Sequence, residues 1–169
     1  MDFLRPAWTR TMPTSLVVGL ATLGPLGRKL PAPGTWGSAA GLLYFAVFFQ
    51  WLSTAEAIVV TALVSLLAAG ICGEAEIRLH KKDPGEVILD EFVAMPLCFL
   101  GWHSLARVLP HWGVMLAGFA LFRFYDILKP LGIRGLQKLP GGWGVVIDDT
   151  AAALAACATL HLGAWLYAR

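Results

Sequence analysis

Apolar runs without a formal charge set the terms for this chain: residues 36–52 and 57–73 hold no Asp, Glu, Lys or Arg. Runs of that kind are candidates for crossing a bilayer. The chain has 169 residues, enough for one domain, and only 14% of them are charged. A soluble domain carries about 25% charged residues, so water alone is a poor solvent for this one. The expected fold is an all-α, polytopic membrane bundle spanning residues 1–169 as a single domain. About five hydrophobic helices are expected, at 36–52, 57–73, 87–102, 111–125 and 148–168, the third kinked by Pro96. Several are short, so some helix ends belong among the headgroups. Residues 15–24 are too short to span and read as a re-entrant or interfacial piece.

The distribution of positive charge orients the bundle. With the N-terminus in the cytoplasm, the inner side collects Arg5, Arg10, Arg28, Lys29, Arg78, Lys81, Lys82, Arg123, Lys129, Arg134 and Lys138. Only Arg107 and Arg169 fall outside, a positive-inside bias that puts the C-terminus on the far side. No dense basic stripe with interleaved aromatics appears, so nucleic acid is not an expected partner. Cys72, Cys98 and Cys157 each sit in apolar surroundings and read as buried thiols.

In this topology the polar residues left inside apolar sequence gather at the cytoplasmic ends of the helices. Asp90 and Glu91 stand side by side at the start of an apolar run, where carboxylates are costly and call for a partner. Asp83 suits a helix N-cap, with Pro84 at the first helical position and Glu86 completing a capping box. Asp90, seven residues on, would then share nearly the same helix face. Asp90 and Glu91 could together grip one or two hard cations, and oxygen-only donors favour Mg²⁺, Mn²⁺ or Ca²⁺. Ion pairing with Lys81, Lys82 or Arg123 is the plainer alternative.

Arg123, Asp126 and Lys129 are spaced i, i+3, i+6, a row of alternating sign on one helix. It reads either as a salt-bridge ladder or as a device in which Lys129 and Arg134 hold a phosphate while Asp126 orients them or joins a metal. Asp148 and Asp149 follow a glycine-rich turn at 141–144; one could be a helix cap, but two adjacent acids exceed what capping needs. Residues 33–38 offer the hydroxyls of Thr35 and Ser38 near a helix start, a weak phosphate signal.

Four segments together carry a resemblance: Pro-Gly-Thr-Trp-Gly-Ser at 33–38, Ile-Leu-Asp-Glu-Phe at 88–92, Phe-Arg-Phe-Tyr-Asp-Ile-Leu-Lys-Pro at 122–130 and Gly-Gly-Trp-Gly-Val-Val-Ile-Asp-Asp at 141–149. In order and spacing, from about residue 30 to 155, the chain resembles bacterial phosphatidylglycerophosphatase A. That family removes the terminal phosphate of phosphatidylglycerol phosphate, with Mg²⁺, at the cytoplasmic face of the inner membrane. The resemblance implies an acidic metal site of Asp83, Asp90, Glu91, Asp148 and Asp149. It places Thr35, Ser38, Arg123, Lys129 and Arg134 around the substrate phosphate, and makes Asp90, Glu91, Asp126 and Asp149 the expected catalytic acids. Gly132, Gln137, Lys138, Ala94 and Ala153 depart from the family pattern without touching the central acids.

Two other readings compete. Cys72-x5-Arg78 has the spacing of a cysteine-dependent phosphatase loop, but Glu74 and Glu76 would repel a phosphate dianion there. A small cation channel or transporter could also use membrane-embedded carboxylates, though these should line a path near the midplane. The residues are compatible with one metal ion or two, and with attack by water or by a carboxylate. They leave the oligomeric state and the selectivity against phosphatidic acid open.

Overall fold

The computed structural model describes residues 6–130 and 132–169, and every regular element among them is helical. Arg5, one of the bases in the charge count, lies outside these residues. Three short helices, α1 (Ala7–Thr11), α2 (Thr14–Ala21) and α3 (Pro25–Lys29), lead to α4 (Pro33–Tyr44), which runs into a π-helical turn at Phe45–Phe49. Helix α5 (Thr54–Arg78) opens on a capping box: the Glu56 N–H donates to Ser53 Oγ, and the Ser53 N–H donates to the Glu56 carboxylate. Helix α6 (Leu89–Ala94) passes into a 3-10 turn at Met95–Phe99; α7 (Trp102–Val108) and α8 (His111–Leu128) follow. A second 3-10 turn at Ile133–Lys138 leads to α9 (Trp143–Tyr167).

Of the five expected spans, two emerge as helices long and apolar enough to cross a membrane, α5 and α9; α7 and α8 would add a third if taken as one span bent by 119°. Residues 36–52 are shared between α4 and the π-helical turn. The run 87–102 is broken rather than kinked. Pro96 lies in the 3-10 turn, Leu100 is extended and Gly101 takes the left-handed φ of 73°. The Leu100 carbonyl is within 2.7 Å of His161 Nε2 on α9, so the break leaves no orphaned acceptor there.

Helix starts also differ from the sequence reading. Asp83 caps nothing: it has φ 47°, residues 84–88 turn, and α6 begins only at Leu89 with Ile88 at its N-cap. The Glu86 capping box and the shared face of Asp83 and Asp90 fall with it. At the other site α9 begins at Trp143, ahead of both acids, so neither Asp148 nor Asp149 is a cap.

The segment at 15–24 is packed onto α5, with Val17 and Ala21 fully buried. Arg78 fixes this arm, donating from Nη1 to the Met12 carbonyl at 2.7 Å, from Nη2 to that of Thr9 at 2.8 Å, and from Nε to Glu74 at 2.8 Å. Cys72 is buried in the same cluster, so the Cys-x5-Arg spacing makes no phosphate loop.

Helices α5 and α8 end, and α4, α6 and α9 begin, at one end of the molecule, where their polar residues meet. Away from that end the core is aromatic, with Phe45, Phe49, Phe99, Trp102 and Phe122 packed against Ala152, Ala153 and Ala156 of α9. The outside is no less apolar. Leu63, Leu66 and Leu67 on α5 are more than half exposed, as are Trp51, Trp112 and Tyr167 at the opposite end from the polar residues. So much contiguous apolar surface belongs against lipid.

Candidate active site

Close helix packing brings the first acids into place. Helix α6 lies on α4 along Gly34, Gly37 and Gly41, spaced to share one face. A Cβ on Gly37 would stand 2.8 Å from the Ile88 carbonyl oxygen, and one on Gly41 2.7 Å from that of Phe92. One on Gly34 would stand 2.4 Å from Glu91 Oε1. The 33–38 motif is thus the seat of Glu91, and its glycines admit a neighbouring helix. Gly37→Ala should therefore force α4 off the Ile88 backbone and lower the free energy of unfolding by about 1–3 kcal/mol, measured by denaturant titration in detergent micelles.

From α6, Asp90 and Glu91 face Asp149 on α9; one carboxylate oxygen from each lies within 4.8 Å of the others. Helix α9 reaches this position because Gly142 lets its first turn meet α5: a Cβ there would fall 2.0 Å from the Ala69 carbonyl. The acids open into a cavity of 180 Å³ lined also by Asp83, Asp126, Asp148, Lys129 and Gln137. Asp90, Asp126, Asp148 and Asp149 are all buried.

The positive charge opposite is tied to Asp126. Its Oδ2 accepts from Arg123 Nη1 at 2.7 Å, and its Oδ1 lies 3.0 Å from Lys129 Nζ. Lys129 also pairs with Asp148 and, at 3.4 Å, with Asp149. Arg123 Nη1 donates to Ser38 Oγ at 3.2 Å, which joins α4 to the same network. Lys129 sits just past the end of α8 in the left-handed region, φ 43°, and that backbone turn aims its side chain at the acids.

Charge does not balance among these residues. Six carboxylates face one lysine and one arginine, and Asp90 Oδ1, Glu91 Oε2 and Asp148 Oδ1 are buried without a hydrogen-bond partner. Burial alone would lower the Lys129 ammonium, but Asp149, Asp148 and Asp126 outweigh it and hold its pKa above the ordinary value. Buried, unpaired carboxylate oxygens are expensive. Orphaned hard donors in this number fit a divalent cation such as Mg²⁺.

The expected residues divide into three groups. Asp83, Asp90, Glu91, Asp126, Lys129, Asp148 and Asp149 line the cavity, with Arg123 and Ser38 bonded at its edge. Arg134 lines an adjoining cleft instead. Thr35 lies on the first turn of α4, and among the described residues its hydroxyl makes no hydrogen bond. Gln137, read from sequence only as a departure from the family pattern away from the central acids, donates from Nε2 to Asp83 at 3.4 Å and lines both the cavity and the cleft.

A cation-ready cluster of acids facing paired bases, at one end of an apolar helical protein, defines a class: helical enzymes that process phosphate esters at a membrane. The chain belongs to the phosphatidylglycerophosphatase A family, whose model matches residues 19–164. It is 40% identical over 125 residues to a phosphatidylglycerophosphatase A of Haemophilus influenzae, covering 73% of this chain and 74% of that one. It is 35% identical over 157 residues to a Bacteroides thetaiotaomicron protein provisionally named a phosphatidylinositol-3-phosphatase, covering 91% and 97%. The Escherichia coli phosphatidylglycerophosphatase A is 29% identical over 133 residues, covering 76% and 72%. No solved structure matches the chain significantly.

Proposed function

We propose that this protein is a lipid phosphatase that hydrolyses phosphatidylglycerol phosphate to phosphatidylglycerol and inorganic phosphate, using Mg²⁺. The convergence of Asp90, Glu91 and Asp149 opposite Lys129 carries the reading. Asp90, Glu91 and Asp149 would hold the ion, with Asp148 and Asp83 beside them. When bound there, Mg²⁺ supplies a Lewis acid for the phosphoryl oxygens and acidifies a nearby water.

The chain's own residues do the rest. Lys129 and Arg123 present fixed positive charge to the phosphoryl oxygens, where it counts most as negative charge shifts in the transition state. Asp126 binds both bases at once and so sets their separation. Ser38 Oγ accepts from the same Arg123 Nη1 that binds Asp126, and so helps fix the position of the guanidinium. Thr35 and Arg134 belong to the approach rather than to the reacting atoms.

We read the chain as one domain that crosses the bacterial inner membrane several times with its site on the cytoplasmic side. The five apolar segments form the embedded bundle, with α5 and α9 as its long crossings. Lys81, Lys82, Arg134 and Lys138 flank the site end, as the positive-inside bias asks. Exposed Trp51, Trp112 and Trp165 mark the opposite end, suited to the far interface. About 24 Å of helix separate Asp149 from Trp165 at 1.5 Å per residue, close to a hydrocarbon core. Collected at one end, the acids line no path along the bundle, which argues against a channel.

The test is phosphate release by purified protein from phosphatidylglycerol phosphate in micelles. Release should stop with chelator and return on adding Mg²⁺; release that continues in chelator would remove the metal from the reading.

A further inference from the structure

Beside the acidic cavity lies a cleft of 380 Å³ with the opposite electrostatic character. Lys82, Arg134 and Lys138 line it, and among the described residues none of the three makes an ion pair. Lys129 and Arg123, by contrast, are both committed to carboxylates. Glu76 also lines the cleft, but its Oε1 already accepts the Asp83 N–H at 2.7 Å. Asp83, Gln137 and Val145 line both spaces, so the two share a wall, and the Gln137–Asp83 hydrogen bond is part of it. Gly141, at φ 64°, and Gly144 also line the cleft, and a Cβ on Gly144 would strike the Leu139 carbonyl at 2.7 Å, so the 139–144 backbone packs closely at its edge.

The geometry points to a second anion subsite, in which Lys82, Arg134 and Lys138 take the internal phosphodiester of a lipid whose terminal phosphomonoester lies in the acidic cavity. This rests on the phosphatase reading above and adds to it a basis for selectivity. In phosphatidylglycerol phosphate a glycerol bridge separates the two phosphorus centres, so one molecule can engage both sides of the Asp83–Gln137 wall. Phosphatidic acid has a single phosphate directly on its diacylglycerol and can occupy only one. A guanidinium and two ammonium groups suit a diester monoanion, which offers two equivalent oxygens. The cation-ready cavity suits the more highly charged monoester.

The experiment measures kinetics in neutral detergent micelles, so that no bulk anionic surface competes for the bases. The Arg134→Gln/Lys138→Gln double variant is compared with wild type, using two inhibitors: phosphatidylglycerol, which carries the diester alone, and inorganic phosphate, which carries neither diester nor lipid. The expected result is a rise on the order of tenfold in both KM for phosphatidylglycerol phosphate and the inhibition constant of phosphatidylglycerol. Inhibition by inorganic phosphate should not change. Both side chains are exposed, and the single Arg134→Gln variant serves if the double variant does not fold. Equal weakening of both inhibitors would assign the bases to the monoester and overturn the subsite, as would constants that do not move. A wild-type protein that releases no phosphate from phosphatidylglycerol phosphate would overturn the phosphatase reading itself, a result distinct from either.

Discussion

Asp90→Asn should reduce phosphate release by about 10³-fold or more, since an acid holding a Lewis-acidic metal stands behind several kcal/mol of transition-state stabilisation. The substitution keeps the shape of the side chain and removes one negative charge from a buried cluster. Asp90 Oδ1 has no hydrogen-bond partner, and Glu91 and Asp149 crowd it from two sides. Relief of that repulsion should make the metal-free variant more resistant to unfolding than metal-free wild type. A gain in stability with a loss of turnover is the mark of a site strained for function. The measurements are phosphate release and the denaturation midpoint, each with and without Mg²⁺. Addition of Mg²⁺ should raise the wild-type midpoint and leave that of Asp90→Asn nearly unmoved. Ordinary turnover by the variant would take Asp90 out of the mechanism.

The acids at 90–91 and 148–149 could be read from sequence because a carboxylate in an apolar run is anomalous on its own, whatever surrounds it. The Arg123, Asp126 and Lys129 row was equally legible, since i, i+3 spacing on a helix fixes neighbours without tertiary information; both ion pairs to Asp126 are present. The glycines at 34, 37 and 41 were not. Their role is set by what lies across the helix crossing, Glu91, Ile88 and Phe92, more than fifty residues away in sequence. Locally they suggest a turn, and the stripe that packs α6 onto α4 shows only once the partner is known. The start of α9 was obscured for the same reason. Residues 141–144 look like a loop by composition, yet Gly142 and Gly144 are small because Ala69 and Leu139 crowd them. Span boundaries suffered most. Apolar length suggested five crossings, while tertiary contacts such as His161 with the Leu100 carbonyl stabilise a break that hydropathy cannot register.

Lys129→Met tests the other half of the site, and its expected effects fall on both stability and rate. Lys129 stands at φ 43°, a conformation that L residues other than Asn and Asp rarely take and that costs about 1 kcal/mol or more. Glycine would be the easier residue there on backbone grounds alone. A lysine in that place is explained by its ammonium, which lies against Asp126, Asp148 and Asp149 at once. Removing it leaves three buried carboxylates facing one another, and loss of one partner from a buried ion pair costs about 3–5 kcal/mol. That exceeds the backbone strain, so Lys129→Gly should also be destabilised, though by less than Lys129→Met. Phosphate release should fall by about 10²-fold or more in both, the range seen when one donor to a developing oxyanion is lost. Added Mg²⁺ should restore part of the stability, because a divalent ion can screen the acids, but little of the rate, because the ammonium facing the phosphoryl oxygens is gone. If Lys129→Gly proves more stable than wild type, backbone strain outweighs the ion pairs and the network is held together for catalysis alone. If its turnover is also unchanged, Lys129 has no part in the chemistry.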